Sequence, residues 1–484
     1  MKDIAIAALD AAARRGVEYA DARAIESRER EVTTKNGRAG HVSSSESAGV
    51  GIRVLADGCW GFAATDELTP EGIEAAASLA VEIARSGRAA KKHDVALAPE
   101  TAHQAVWVSP CRIDPFSISV DRNLAALLAV DAELRRDPAI TLAEASMHFE
   151  RHRQVFASTA GSLIDQTRTT SGAGFAVNVY KDGEIQKRSY PNSFGGQYQL
   201  KGYELVDELD LLKHAPRIAE EAIALHSADQ CPEGEFDLIL DSSQLGLQIH
   251  ESIGHPIELD RVLGSEANYA GMSFLTLDQL DRLKYGSDIV NVVCDARLEH
   301  GPGLGTFAFD DEGVEAQSTD IIRAGQFRGY MTSRESARTV GQPRSNGCMR
   351  ADGWARLPLI RMTNVSLLPG EQSLEEVFGL ADGIYMETNR SWSIDDKRYN
   401  FQFGCEIGWE IRGGKRVRML KNPSYSGIST EFWNACCAIA GREHWTLWGV
   451  PNCGKGQPEQ VMGTGHGASP ARFRKIKIGS AYGE

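Results

Sequence analysis

Two imidazoles and a carboxylate fall within six residues at His250-Glu251-Ser252-Ile253-Gly254-His255. Neutral imidazole is a good ligand for zinc, and an unligated glutamate beside it can take a proton from the attacking water, so the pattern points to metal-assisted hydrolysis. The spacing departs from HExxH, where the histidines are four apart and about 40° around a helix; five apart is about 140°, and a regular α-helix cannot aim both at one ion. Pro256 biases the preceding residue away from α conformation and Gly254 readily ends a helix, so His255 is expected to swing back off the helix end. Two histidines also lack a third protein ligand, and nine cysteines and many acids leave that choice open on spacing alone. The blander alternative is that the three residues met by accident and are solvated or satisfied in a core.

The element carrying the motif reads clearly. Phe236, Leu238 and Leu240 alternate as in a strand, Asp241-Ser242-Ser243 supplies capping side chains, and a helix follows from Gln244. Leu245, Ile249 and Ile253 form the apolar stripe that docks it, and Gly246 and Gly254 are expected to leave room beside the His250 ring. After residue 285 the chain is mostly strands and turns, including Gly305 to Phe309, Leu359 to Val365 and Phe401 to Ile411. Sequential strands with few helices favour an antiparallel sheet or open barrel.

Upstream, Ile4 to Arg15 reads as an amphipathic helix, followed by short strand-like runs at Tyr19 to Ile25, Glu29 to Lys35, Gly49 to Leu55 and Trp60 to Thr65 around the Asp57-Gly58 turn signal. Thr69-Pro70 starts a second helix. Residues 93–115 carry three prolines and no periodicity, reading as a linker or wrapped connection; a helix and further strands follow, and Cys231-Pro232-Glu233-Gly234 is a second punctuation point. The expectation is an α+β chain: an N-terminal α/β domain over 1–92, a central α+β segment over 93–230 and a β-rich C-terminal domain over 231–484 carrying the motif.

With 484 residues, 42% hydrophobic and 24% charged, the chain has ample apolar surface for two or three folding units. Acidic residues outnumber basic ones 66 to 52, and a net charge of −14 argues against nucleic acid as a main partner. No run of about 18 apolar residues suggests a membrane span, and the start does not resemble a signal peptide. Nine cysteines without a CxxC pair suit reduced thiols, so the expected location is cytoplasmic.

The hexapeptide, Gly305-Thr306-Phe307-Ala308-Phe309-Asp310-Asp311-Glu312-Gly313, Pro358-Leu359-Ile360-Arg361-Met362-Thr363-Asn364 and Asn452-Cys453-Gly454-Lys455-Gly456-Gln457 occur in the order of the TldD/PmbA family of metallopeptidases, which the chain resembles over nearly its whole length. Among its two subunit types, the chain is similar to the catalytic TldD type. The resemblance implies His250, His255 and Cys453 as zinc ligands and Glu251 as general base. It also implies short or unfolded peptides as substrates, and a dimer with a second copy or with a TldE/PmbA-like sister chain. Cys453 is then expected in a glycine-rich loop.

The competing readings are a non-catalytic binding or regulatory subunit of a peptidase complex and a metal-dependent alcohol dehydrogenase; the latter lacks a dinucleotide fingerprint. Asp310-Asp311-Glu312-Gly313 lacks the alternating spacing of a calcium loop and is expected to be a strand-ending turn. Arg472, Arg474, Lys475 and Lys477 read as a half-exposed strand, and His466 as structural or solvated, with a place near the site only if its loop folds towards Cys453. Asn389 to Ile394 stands where the family usually has a glycine-rich stretch, a departure that bears on the local wall of the cleft and on substrate preference more than on activity.

Overall fold

The computed structural model describes residues 1–379 and 382–480. Its first sheet is built on two long hairpins. Tyr19–Lys35 pairs with Arg38–Ala56, Leu142–Ser158 pairs with Leu163–Lys181, and the two ribbons join through Tyr19–Lys35 and Leu142–Ser158. These strands are far longer than the sequence runs. Arg38–Ser47 is polar and largely exposed, so it has no apolar alternation to detect, yet its backbone stays in the ladder. Asp57 and Gly58, with φ of 52° and 70°, make the two-residue turn into Cys59–Thr65.

Residues 93–115 are not wholly irregular. Gln104–Val108 runs parallel to Leu163–Thr167 at the sheet edge, a pairing to a partner far downstream that leaves no local signal. Helices Lys2–Ala13 and Pro70–Gly87 cover one stretch of the sheet through an alanine-rich core, and Val120–Leu134 and Leu211–Ser227 cover another through Met147, Phe149, Phe175 and Val177. Thr69 caps the second helix by accepting from the Gly72 amide, as its sequence predicts.

The C-terminal region is β-rich, and the whole chain is α+β. Strands Gly383–Ile394, Gly234–Leu240, Ala471–Ser480, Pro423–Ile428 and Asn400–Arg412 hydrogen-bond in that order, and the last pairs back to the first. The barrel is therefore closed rather than open. One pairing in it, Asp237–Leu240 with Gly383–Met386, is parallel. A second sheet contains Val292–Asp295, Asn364–Leu367, Gln460–Ala468 and, at its edge, Thr446–Lys455. Gly305 to Phe309 is a loop, held by the Gly305 amide donating to Asn364 Oδ1 at 3.1 Å.

Helix Ser242–Ile249 lies between barrel and second sheet with every residue buried. Leu245, Ile249 and Ile253 are fully enclosed; each contributes about 1.5–3 kcal/mol by leaving water. Its polar face is fixed too. Gln244 Nε2 donates to Tyr425 Oη, which donates to Gln248 Oε1, while Gln248 Nε2 and Trp433 Nε1 donate to Ser252 Oγ, all at 2.9–3.1 Å. These bonds set the helix's rotation about its axis, and hence where His250 points.

The acidic run at 310–313 joins this region to the first sheet. Asp310 accepts the amides of Glu312, Val314 and Met349, and Asp311 accepts from Gln154 Nε2 and the Ala351 amide. Glu312 accepts from the Arg334 amide and from Arg53 Nη1, whose guanidinium also holds Asp21. It is a turn, as expected, but a buried one that locks two sheets together.

Candidate metal centre

The helix does not simply end at the motif. His250–Gly254 form a π-helical turn closed by the His255 amide donating to the His250 carbonyl at 3.1 Å, an i to i+5 bond. That wider turn is what brings residues five apart to one face. The expectation that His255 leaves the helix is thus incorrect: it has φ −64° and ψ −43°, fully helical. The bias imposed by Pro256 is outweighed by the π bond and by burial on all sides, and the missing Pro256 N–H stops the ladder one residue later. Nor does Gly254 make room for the His250 ring; a side chain there would collide with Met362 Sδ.

Cys453 arrives from strand Thr446–Lys455, not from a loop. The pairing register with Gln460–Ala468 shifts between Val450 and Cys453, so Pro451 and Asn452 bulge and re-aim the strand before the cysteine. The three side chains meet. One ligand atom from each of His250, His255 and Cys453 lies within 4.8 Å of the others, all three residues are buried, and Cys453 Sγ is 3.9 Å from His255 Nε2. In a tetrahedral zinc site ligand atoms stand about 3.3–3.7 Å apart, so small side-chain rotations close the set.

Hydrogen bonding assigns the tautomers. His466 Nδ1 is 3.0 Å from the Val365 carbonyl, which fixes its proton there and leaves Nε2 as acceptor for His250 Nδ1–H at 2.8 Å. His466 thus lies in the second layer of the site, buried rather than solvated. His255 Nδ1 donates to Glu258 Oε2 at 3.0 Å. Both imidazoles therefore offer Nε2, the orientation a buttressed metal-ligating histidine adopts. Burial lowers the pKa of both, with the Arg398 charge adding to it. Burial works against a Cys453 thiolate, but His255 and the Arg361 guanidinium outweigh it and bring the thiol below its ordinary pKa. The donor set fits a borderline-soft divalent cation.

A third layer supports the second. Lys455 Nζ lies 3.3 Å from Glu258, 2.7 Å from Asp260 and 3.6 Å from Glu266, whose carboxyl burial pushes up to about 7. Arg361 Nη2 donates to the Cys453 carbonyl at 2.5 Å. Glu251 faces Arg398, with Oε2 2.5 Å from Nη1. Arg398 comes from the five-residue connection between Gly383–Ile394 and Asn400–Arg412. The stretch Asn389 to Ile394 is thus barrel wall, bulged between Asn389 and Ser391, leading into that hairpin.

The chain matches the PmbA/TldA metallopeptidase C-terminal domain over residues 233–480, domain 1 over 20–84 and the central domain over 113–226. It belongs to the PmbA/TldA metallopeptidase family. Relatives in that family include a metalloprotease of Methanothermobacter thermautotrophicus, 29% identical over 96% of both chains, and a zinc metalloprotease TldD homolog of Saccharolobus solfataricus, 25% identical over 96% of this chain and 97% of that one. A Thermotoga maritima protein described as a candidate modulator of a DNA gyrase shares the fold (TM-score 0.75, 17% identity, 98% and 99% coverage). So does TldE of Thermococcus kodakarensis (0.70, 16%, 96% and 98%).

Glu258, Lys455, Arg361 and Arg398 were not singled out from the sequence as site residues. Glu258 lies three residues after His255 and Lys455 two after Cys453, so a search beside the candidate donors for opposite charges finds both. Arg361 lies in a quoted motif but far from the candidate donors in sequence. Arg398, in Asp395-Asp396-Lys397-Arg398, looks like an ordinary charged turn and gives no signal.

Proposed function

We propose that this chain is a zinc-dependent peptidase acting on short or unfolded peptides, with His250, His255 and Cys453 as metal ligands and Glu251 as general base. The observation that carries the reading is the convergence of three buried donors from two distant segments, with the other imidazole nitrogens already bonded. Zinc held there would polarise a peptide carbonyl and make water acidic enough to attack it. Glu251 takes a proton from that water and returns it to the departing amine, and Arg398 keeps its carboxylate oriented meanwhile. Burial of the site excludes bulk water and favours an extended backbone over a folded domain, and pairing with a strand edge would accommodate many sequences.

A purely binding or regulatory subunit is the rival, and the intact donor set weighs against it. The fold relation to TldE is consistent with assembly with a TldE/PmbA-like sister chain or a second copy. The Thermotoga maritima neighbour described as a candidate gyrase modulator bears on the fold alone at its level of identity. No helix among the described residues is long and apolar enough to cross a membrane.

Glu251→Gln is expected to retain a full complement of zinc by elemental analysis while hydrolysis of a mixed peptide pool, read by mass spectrometry, falls about 10²–10⁴-fold. Undiminished turnover would remove Glu251 from the mechanism.

A further inference from the structure

Arg398 is held in an unusual way for a hairpin residue. Its backbone is left-handed, φ 63°, a conformation that disfavours any residue with a side chain. The tip is tied in that shape: the Arg398 amide donates to the Asp395 carbonyl at 2.8 Å, and Ser429 Oγ donates to the Arg398 carbonyl at 3.0 Å. The Asp395 carboxylate accepts from the Tyr399 amide and Asn400 Nδ2, both at 2.7 Å. Such ties fix the backbone from which the guanidinium is presented. Nη1 is spent on Glu251. Nε–H is buried and has no acceptor among the described residues. A buried guanidinium donor without a partner is costly, and it persists beside a site where negative charge would develop.

Building on the peptidase reading above, we propose that Arg398 is a further catalytic residue, donating Nε–H to the scissile carbonyl oxygen as that oxygen becomes anionic while Nη1 holds Glu251. The step balances. The water oxygen bonds to the carbonyl carbon as Glu251 accepts one of its protons, and the carbonyl electron pair moves onto the oxygen that Arg398 faces. Collapse breaks the C–N bond, the proton on Glu251 passes to the departing nitrogen, and the second water proton leaves as the new acid ionises. The contact of Nη1 with Glu251, the residue directly after His250, sets the charge of Arg398 beside the place of reaction.

The test uses the full zinc-loaded chain, the mixed peptide pool and a phosphinic analogue of one peptide it cleaves, whose tetrahedral anion mimics the reacting carbon. Arg398→Ala is expected to lower kcat about 10²–10³-fold with KM within about threefold, and to weaken the phosphinic analogue by a similar factor but not the matching uncleaved peptide. Zinc content stays unchanged, and added methylguanidinium restores part of the rate. Arg398→Lys keeps a charge for Glu251 but has no second nitrogen at the position of Nε, and is expected to remain at least about tenfold slow. Either variant turning over like the parent, or loss of zinc in step with the rate in both, overturns the proposal. A parent chain that holds zinc and cleaves nothing in the pool sinks the peptidase reading itself, and this role with it.

Discussion

The joint at Asp310 to Glu312 and the layer around His255 are two buried acidic clusters of similar composition with different chemical outcomes. At the joint every carboxylate oxygen of Asp310, Asp311 and Glu312 is taken up by backbone amides, Gln154 or Arg53. Nothing is left over, and the cluster does mechanical work between sheets. Around His255 the acids also meet cations, but the chain of bonds runs outward through Nδ1 of each histidine and stops, leaving two Nε2 atoms and one sulfur facing each other. Burial of charge by itself does not mark a site; a bonded network that ends on mutually facing donors does.

The contrast can be broken at either end. The larger effect is expected at the joint, where Arg53→Met leaves Asp21 and Glu312 as buried charges without their cation and costs about 3–5 kcal/mol. It should appear as a lower thermal midpoint with the zinc content of the folded protein unchanged; a fall in zinc with the midpoint held would mean that the joint serves the metal. The smaller effect is expected behind the site. Lys455→Met also removes a buried cation, so the readout is taken on protein that stays folded; there Glu258 has lost its cation, and zinc affinity by competition with a chelator should fall about 10–100-fold. Unchanged affinity would reduce that layer to packing.

The sequence carried the helix of the motif legibly, because Asp241 as a cap and the Leu245, Ile249 and Ile253 stripe are local signals, and both reappear as expected. The route by which His255 reaches its neighbour was not legible. Proline bias is a property of a dipeptide, whereas the π turn is stabilised by packing against Met362 and by a bond that exists only once the turn has formed. The reach of Cys453 came from family likeness alone, since the bulge that aims it depends on pairing with a strand beyond the following turn. The closed barrel was equally hidden. Its closure is a pairing between Gly383–Ile394 and two partners, one adjacent and one well over a hundred residues upstream, and no window of sequence contains both.

The most direct test of the whole account is X-ray absorption at the zinc edge on the metal-loaded chain, alone and as Cys453→Ala. The arrangement predicts one sulfur at about 2.3 Å with nitrogen or oxygen ligands at about 2.0–2.1 Å in the parent, and loss of the sulfur shell together with weaker retention of zinc in the variant. A parent spectrum with no sulfur neighbour, or a variant that binds zinc with an unaltered spectrum, would contradict it.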